Sequence, residues 1–167
     1  PAVDYVKYGR IMNGMGSNRF QPNTQMTRAM FAQVLYALEG SPSVRGLSCP
    51  FTDAGGSWYT DAVIWAYNAG VVAGVSPTRF APNEALTREQ MVTMLYGYAG
   101  REQALSGSDG ALAGYQDQAR VSTWAREAMA WAVSTGVITG TSATTLAPRK
   151  TGTRAEVATV LMRFCEQ

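Results

Sequence analysis

Histidine is absent from this chain of 167 residues, cysteine occurs only as Cys49 and Cys165, and lysine only as Lys7 and Lys150. Without histidine neither a Ser-His-Asp nor a Cys-His nucleophile can be assembled, nor a histidine-ligated zinc. The two cysteines make no CxxC redox motif, and the sequence leaves open whether they pair in an oxidising space or stay as thiols. Hydrolysis by a pair of carboxylates needs no histidine, but the seven glutamates and five aspartates form no repeat-independent cluster suggesting an acid and a base. Long apolar runs are missing too: nothing approaches the roughly 20 residues that cross a bilayer. No basic and apolar leader follows Pro1, so any secretion signal is expected to have been removed or to lie outside this sequence. No cofactor is expected.

What remains is 46% apolar residues and 17 glycines, the balance of a folded chain long enough to bury a core. A net charge of +2 makes no basic stripe for nucleic acid. Yet 12 of the 14 basic residues are arginine, which suits bidentate recognition of carboxylate or phosphate.

Self-comparison exposes three copies of one unit. Gly70-Val71-Val72-Ala73-Gly74, Arg79-Phe80-Ala81-Pro82-Asn83 and Leu86-Thr87-Arg88 recur sixty residues earlier as Ile11-Met12-Asn13-Gly14, Arg19-Phe20-Gln21-Pro22-Asn23 and Met26-Thr27-Arg28. Sixty-six residues later they return as Gly136-Val137-Ile138-Thr139-Gly140, Leu146-Ala147-Pro148 and Gly152-Thr153-Arg154. Upstream, Phe51-Thr52-Asp53 matches Tyr115-Gln116-Asp117, Trp58 matches Trp124, and Trp65-Ala66 matches Trp131-Ala132. The units span 1–40, 51–100 and 115–167. By the sixty-residue offset Pro1 corresponds to Asp61, so copy one has no Phe-x-Asp segment and no counterpart of Trp58. Its first helix remains, with Pro1 suited to the opening turn.

Each unit predicts two helices around a Gly/Pro/Ser/Thr/Asn-rich loop. The second follows Thr-Arg, with apolar residues at 31, 34, 35 and 38, at 91, 94, 95 and 98, and at 157, 160, 161 and 164. That is the stripe of an amphipathic helix. Gly40 and Gly100 are expected as closing residues. In the shorter first helix Ala62, Trp65, Ala66 and Ala69 share a face, mirrored by Ala128, Trp131, Ala132 and Thr135. Such small residues allow close approach of helix axes, so the first helices are expected to meet at the centre. A helix-loop-helix unit cannot bury its own stripe; the copies must pack as a stack or around a pseudo-threefold axis. Linkers 41–50 and 101–114 are expected on the surface.

Thr27, Thr87 and Thr153 sit at N-cap positions, and Gln90 and Glu156 have capping-box spacing. Capping does not explain Arg28, Arg88 and Arg154, because an exposed cation in the first turn opposes the helix dipole by roughly 0.3–1 kcal/mol. Either a carbonyl or carboxylate of the protein offsets that cost, or an anionic ligand does.

Phe-x-Asp, Trp-x-x-x-Ala, Gly-Val-Ile-x-Gly, Phe-x-Pro and Thr-Arg-Ala-Glu in this order resemble three tandem S-layer homology modules over nearly the whole chain. The resemblance implies an all-α, three-pronged arrangement with a central bundle of first helices. It also implies a secreted, non-catalytic anchor at the bacterial cell wall or S-layer, part of a larger surface protein, that binds a pyruvylated secondary cell-wall polysaccharide in inter-module grooves without inserting into a membrane. Arg28, Arg88 and Arg154 would then hold the pyruvate carboxylate, and R88A with R154A would abolish binding while leaving the circular dichroism spectrum intact. Copy two departs from the motif at Glu89 and Gln90 and copy one at Met30, so the groove of Arg28 is expected to be less well organised.

Asp53 and Asp117 are open to three roles: helix capping, an arginine partner or sugar hydroxyls. Trp58 and Trp124 are suited either to stacking on a sugar or to the core, whereas Trp65 and Trp131 read as core. Gly14, Gly74 and Gly140 would allow positive φ or let a ligand approach bare backbone. Arg10 replaces the glycine of the other two copies. A competing reading is a module for protein partners or self-assembly that uses exposed Tyr36, Tyr96 and Tyr98. Related modules that bind amine-modified peptidoglycan would favour acidic groove residues.

Overall fold

A computed structural model describes residues 2, 12 and 19–167. Five α-helices are bounded within these residues: α1 (Arg28–Leu38), α2 (Thr60–Asn68), α3 (Arg88–Ala99), α4 (Arg126–Ser134) and α5 (Arg154–Cys165). Only isolated bridges, and no strand, occur among the described residues, so the all-α expectation holds. Helices α1, α3 and α5 are the second helices of the three units, and α2 and α4 are the first helices of units two and three. The first helix expected of copy one lies, but for Ala2, outside the described residues, as do Arg10 and Gly14.

The stripes become the core. Phe31, Leu35, Met91, Leu95, Val157 and Leu161 are almost completely buried, while Leu38, Tyr98 and Phe164, at the ends of the stripes, are partly covered. Each fully buried side chain of this size contributes roughly 1.5–3 kcal/mol. Thr27, Thr87 and Thr153 accept from the N–H groups of Met30, Gln90 and Glu156, and Gln90 and Glu156 reciprocate. Met30 cannot, so copy one has half a box. Gly40 closes α1 with φ 83, as expected. Gly100 instead is the C-cap of α3 at φ −68, in right-handed space.

Helix pairing runs from one unit to the next: α1 packs on α2 and α3 on α4. Tyr36 meets Trp65 with ring centroids 5.6 Å apart, and Tyr96 meets Trp131 at 5.7 Å. Trp65 and Trp131 thus face the preceding second helix; the expected central bundle of first helices includes that of copy one, which lies outside the described residues. Thr135, expected on the same face as Trp131, is exposed.

Backbone hydrogen bonds join the units cyclically. Met26 N–H donates to Gly152 O at 3.0 Å, Gly152 N–H to Leu86 O at 2.9 Å, and Leu86 N–H to Met26 O at 2.8 Å. The N–H groups of Arg28, Arg88 and Arg154, which no helical turn can satisfy, donate to Glu84 O, Lys150 O and Thr24 O of the next unit in the cycle. The loop before each second helix is therefore also the joint between units.

Linker 41–50 lies on the surface, but 101–114 does not simply run over it. Its short 3-10 turn, Asp109–Leu112, buries Leu112 completely. A Cβ on Gly107 would lie 2.7 Å from Glu127 O, so this backbone is pressed against α4. Neither cysteine forms a disulfide; Cys49 is half-buried and Cys165 exposed.

Candidate functional site

The three motif arginines sit in the first turn of α1, α3 and α5 and are 5%, 6% and 5% exposed. Each points its Nε at the Phe-x-Pro loop of the next unit in the cycle: Arg28 donates to Phe80 O at 2.8 Å, Arg88 to Leu146 O at 2.9 Å and Arg154 to Phe20 O at 3.0 Å. The guanidinium carbons of Arg28 and Arg154 lie 4.8 Å from the ring centroids of Phe80 and Phe20. Leu146 offers Arg88 no such ring, and there Nη2 donates to Thr139 O at 2.7 Å. A protein carbonyl thus supplies the offset that a cation at a helix start requires. The arginines are structural through Nε.

The forks of Arg28 and Arg88 are not used up. Among the described residues no hydrogen bond engages either terminal nitrogen of Arg28, and Nη1 of Arg88 has none. Burial lowers the pKa of both groups, with Glu84 and Asp53 opposing this at Arg28; both remain cationic because an arginine in a protein does not give up its proton.

Arg28 and Arg88 each line an open groove. The first, about 520 Å³, brings together Arg28 of unit one, the Val71–Val75 loop with Gln90, Thr93 and Met94 of unit two, and Trp124 of unit three. The second, about 270 Å³, joins Arg88 to the Ile138–Thr141 loop and to Lys150, Glu156, Thr159 and Arg163. In each, the arginine of one unit faces the glycine loop of the next. Both units supply the same positions, since Gly74, Gln90 and Thr93 correspond to Gly140, Glu156 and Thr159.

Gly74 and Gly140 shape these loops. Gly74 has φ 84, and a Cβ there would press on the Phe51 ring and lie 2.7 Å from Arg79 O. Gly140 departs from the expectation of positive φ: its constraint is crowding, with a Cβ falling on Ser142 O and 2.6 Å from Thr145 O. G140A should cost about 1–3 kcal/mol through this overlap. Gly55, with nothing within 4 Å, provides the control: G55A should leave the urea midpoint unchanged while G140A lowers it.

Asp53 and Asp117 do not cap the first helices, whose N-cap residues are Tyr59 and Ala125. Each carboxylate instead straddles two successive N–H groups of its own unit's loop. Asp53 accepts from Phe80 N and Ala81 N, both at 2.9 Å, and Asp117 from Leu146 N at 2.9 Å and Ala147 N at 2.8 Å. Burial acts to raise these carboxyl pKa values, but the backbone donors outweigh it and hold both below the usual range. The clamped residues need it: Ala81 and Ala147 have φ 58 and 49, left-handed space that a Cβ disfavours. The aspartates therefore hold the carbonyls of Phe80 and Leu146 where Arg28 and Arg88 use them.

Trp124 is 57% exposed and lines the Arg28 groove. Trp58 is 61% exposed and meets Tyr59 edge-on at 5.1 Å. Trp65 and Trp131 are in the core, as expected. Tyr36, Tyr96 and Tyr98 are not the exposed set expected for a partner surface. Tyr36 is buried and donates to Pro42 O at 2.7 Å, while Tyr96 and Tyr98 donate to Glu127 and Glu39. Two positioning groups escape sequence reasoning. Glu89, 4% exposed, accepts from the N–H and hydroxyl of Ser122, both at 2.9 Å. Arg101 reaches back to Glu39 at 2.7 Å while lying 4.6 Å from the Tyr98 ring centroid. The signal for Glu89 is its interruption of the alanine shared by Ala29 and Ala155; Arg101, in a linker, leaves none.

These features define a class: an all-helical, three-unit domain whose open clefts fall between units and present arginine. The S-layer homology domain family matches residues 2–32, 50–92 and 114–158, and the chain belongs to that family. It is 31% identical over 167 residues to an amylopullulanase of Thermoanaerobacterium thermosulfurigenes, covering 99% of this chain but 9% of that protein. The surface-layer 125 kDa protein of Lysinibacillus sphaericus is 31% identical over 172 residues (99% of this chain, 14% of that protein). An S-layer protein of Bacillus thuringiensis subsp. finitimus is 25% identical over 166 residues (99% and 20%). The chain thus spans no more than a fifth of these relatives. Family and relatives together place it among cell-surface and S-layer anchoring domains. No helix among the described residues is long and apolar enough to cross a membrane.

Proposed function

We propose that this chain is the non-catalytic wall anchor of a larger surface protein and that it holds a carboxylate-bearing saccharide, a pyruvylated amino sugar of the secondary wall polymer, in its inter-module grooves. The observation that carries this reading is Arg28. The residue is 5% exposed, its only hydrogen bond among the described residues from the guanidinium is through Nε, and it lines a groove. A carboxylate is the planar acceptor that such a fork matches. Trp124 supplies a flat apolar face across the groove and the Gly74 loop a backbone edge without a side chain, as one sugar ring would need. By sequence correspondence Arg154, Trp58 and Gly14 are the counterparts of Arg28, Trp124 and Gly74; Gly14 lies outside the described residues. With no acid lining the Arg28 groove and three cations around one carboxylate in the Arg88 groove, amine-modified peptidoglycan is the poorer match.

Sedimentation with purified sacculi tests this. The chain should be retained, released when the secondary polymer is stripped, and displaced by a pyruvylated amino-sugar fragment but not by the same fragment after its ketal is removed. Trp124→Ala should weaken fragment binding by about three- to tenfold, as the loss of one aromatic contact of roughly 0.5–1.5 kcal/mol implies. Retention on stripped sacculi, or equal competition by both fragments, would overturn the proposal.

A further inference from the structure

The two described grooves are not chemically equivalent, and the difference lies in charge. The positions in unit two that correspond to Lys150 and Arg163 are Glu84 and Gly97. Beside the Arg28 groove, therefore, an acid stands where the other groove has a lysine, and the groove lining combines apolar Val71, Val72, Val75, Met94 and Trp124 with Gln90 and Thr93 around one cation. In the Arg88 groove three cations surround one carboxylate, and no aromatic ring is among the lining residues. Both oxygens of that carboxylate are engaged, because Glu156 Oε1 accepts from Lys150 Nζ at 3.1 Å and Oε2 from Thr153 N at 2.8 Å. Lys150 and Glu156 thus pair with each other, and although Glu156 and Asp117 also pull on the Arg88 charge, Arg88 and Arg163 give one small groove a net positive charge.

Neither guanidinium has an acidic hydrogen-bond partner among the described residues. Arg88 spends Nε and Nη2 on carbonyls, and Arg163 makes one long bond of 3.3 Å from Nη1 to the Thr139 hydroxyl. After burial and the opposing pull of Glu156, the charge of Arg163 further lowers the Arg88 pKa, so the two like charges repel across the groove. Nearby Thr141 and Thr159 add hydroxyls to its wall.

We propose that the Arg88 groove is a site for a doubly charged phosphate group, free or carried on a saccharide, and that the Arg28 groove takes a singly charged group with an apolar face. One dianion would satisfy both arginines at once, whereas a monoanion would leave one charge unmatched. The inference narrows the anchoring proposal, leaving the pyruvylated sugar to the Arg28 groove and giving the Arg88 groove a different ligand, and it rests on that reading only for the polymer as the source of the phosphate.

The test is a titration of the full chain by two-dimensional NMR at constant ionic strength, with inorganic phosphate above its second ionisation, an N-acetylhexosamine 6-phosphate, and acetate. Phosphate should shift the amides of Thr139, Gly140, Thr141 and Thr159 saturably, with acetate about tenfold weaker there, in line with charge-assisted pairing of two arginines. Tighter binding of the sugar phosphate would assign the source to the polymer; equal binding would assign it to free phosphate. Arg163→Gln, on the half-exposed face of α5, should weaken phosphate binding about fivefold or more while leaving the response of Val72 and Gly74 to a pyruvylated sugar unchanged. Equal phosphate affinity at both grooves, absence of saturable shifts, or indifference to Arg163→Gln would overturn the inference. Loss of the pyruvylated-sugar response alone would count against the anchoring reading and leave this one standing.

Discussion

The double variant Arg88→Ala, Arg154→Ala is expected to lose its cooperative fold, contrary to the sequence-based expectation that only binding would suffer. Each arginine is about as buried as the core residues and crosses to a neighbouring unit, where Nε holds Leu146 O or Phe20 O. Truncation empties the volume of a long side chain, a cost of about 2–5 kcal/mol at fully buried sites. It also deprives a loop carbonyl of its donor, which adds roughly 1–3 kcal/mol where water cannot enter. The Nε acceptors of the two sites, Leu146 O and Phe20 O, lie in different units, so their costs should add. Together they approach the total stability of about 5–15 kcal/mol typical of a domain. Circular dichroism with urea titration checks this: a lowered or vanished transition is expected, and a midpoint unchanged from wild type would show that the Nε contacts carry no weight. Groove function is therefore better tested at exposed Trp124 and half-exposed Arg163, or by altering the ligand.

The same arginines show how far the sequence could be read. Helix periodicity predicted Phe31, Leu35, Met91, Leu95, Val157 and Leu161 as core because burial follows the 3.6-residue period, a local property. The caps at Thr27, Thr87 and Thr153 were equally legible, since capping is completed within four residues. Which groups meet across units was not. The bond from Arg28 to Phe80 joins residues fifty-two apart, and that from Arg154 to Phe20 joins residues 134 apart. A repeat shows that an arginine recurs, not whether its partner is a loop carbonyl or a ligand; here each has the carbonyl at Nε, and Arg28 and Arg88 keep unspent donors at the fork. The tyrosines were misread for a related reason. Tyr36, Tyr96 and Tyr98 find acceptors on Pro42, Glu127 and Glu39 only after linkers and neighbouring units have folded against them. Left-handed Ala81 and Ala147 had no local signal at all, since alanine is an unfavourable choice for that conformation. Their explanation sits about thirty residues upstream, in recurrent aspartates: an arginine partner was among the expected roles, and Arg79 Nε lies 3.8 Å from Asp53 Oδ2, but the clamp on the loop N–H groups was not foreseen.

Those aspartates set the acid sensitivity of the domain. The double variant Asp53→Asn, Asp117→Asn keeps the side-chain shape, but an amide presents one acceptor oxygen where two N–H groups converge, so one donor at each site faces an NH2. Loss of a charge-assisted bond costs about 1.5–3 kcal/mol, and a residue held in left-handed space without its clamp exposes roughly 1–3 kcal/mol of strain. A loss of about 2–3 kcal/mol per site at pH 7 is expected, read as a lower urea midpoint. The pH dependence follows from the direction of the shift. Both carboxyls have folded-state pKa values below their unfolded values, so their contribution is fully present above the ordinary aspartate pKa of about 3.9. It disappears as pH falls through the lower folded values. Glu39 and Glu156 also have lowered pKa values and weaken the wild type over the same acidic range, so the informative quantity is the difference between wild type and variant. That difference should be constant from pH 7 to about 5 and shrink below about pH 4 as the wild-type aspartates take up protons. A gap that persists unchanged to the most acidic point would mean that shape, and not charge, is what the two carboxylates contribute to the loops that carry the arginine grooves.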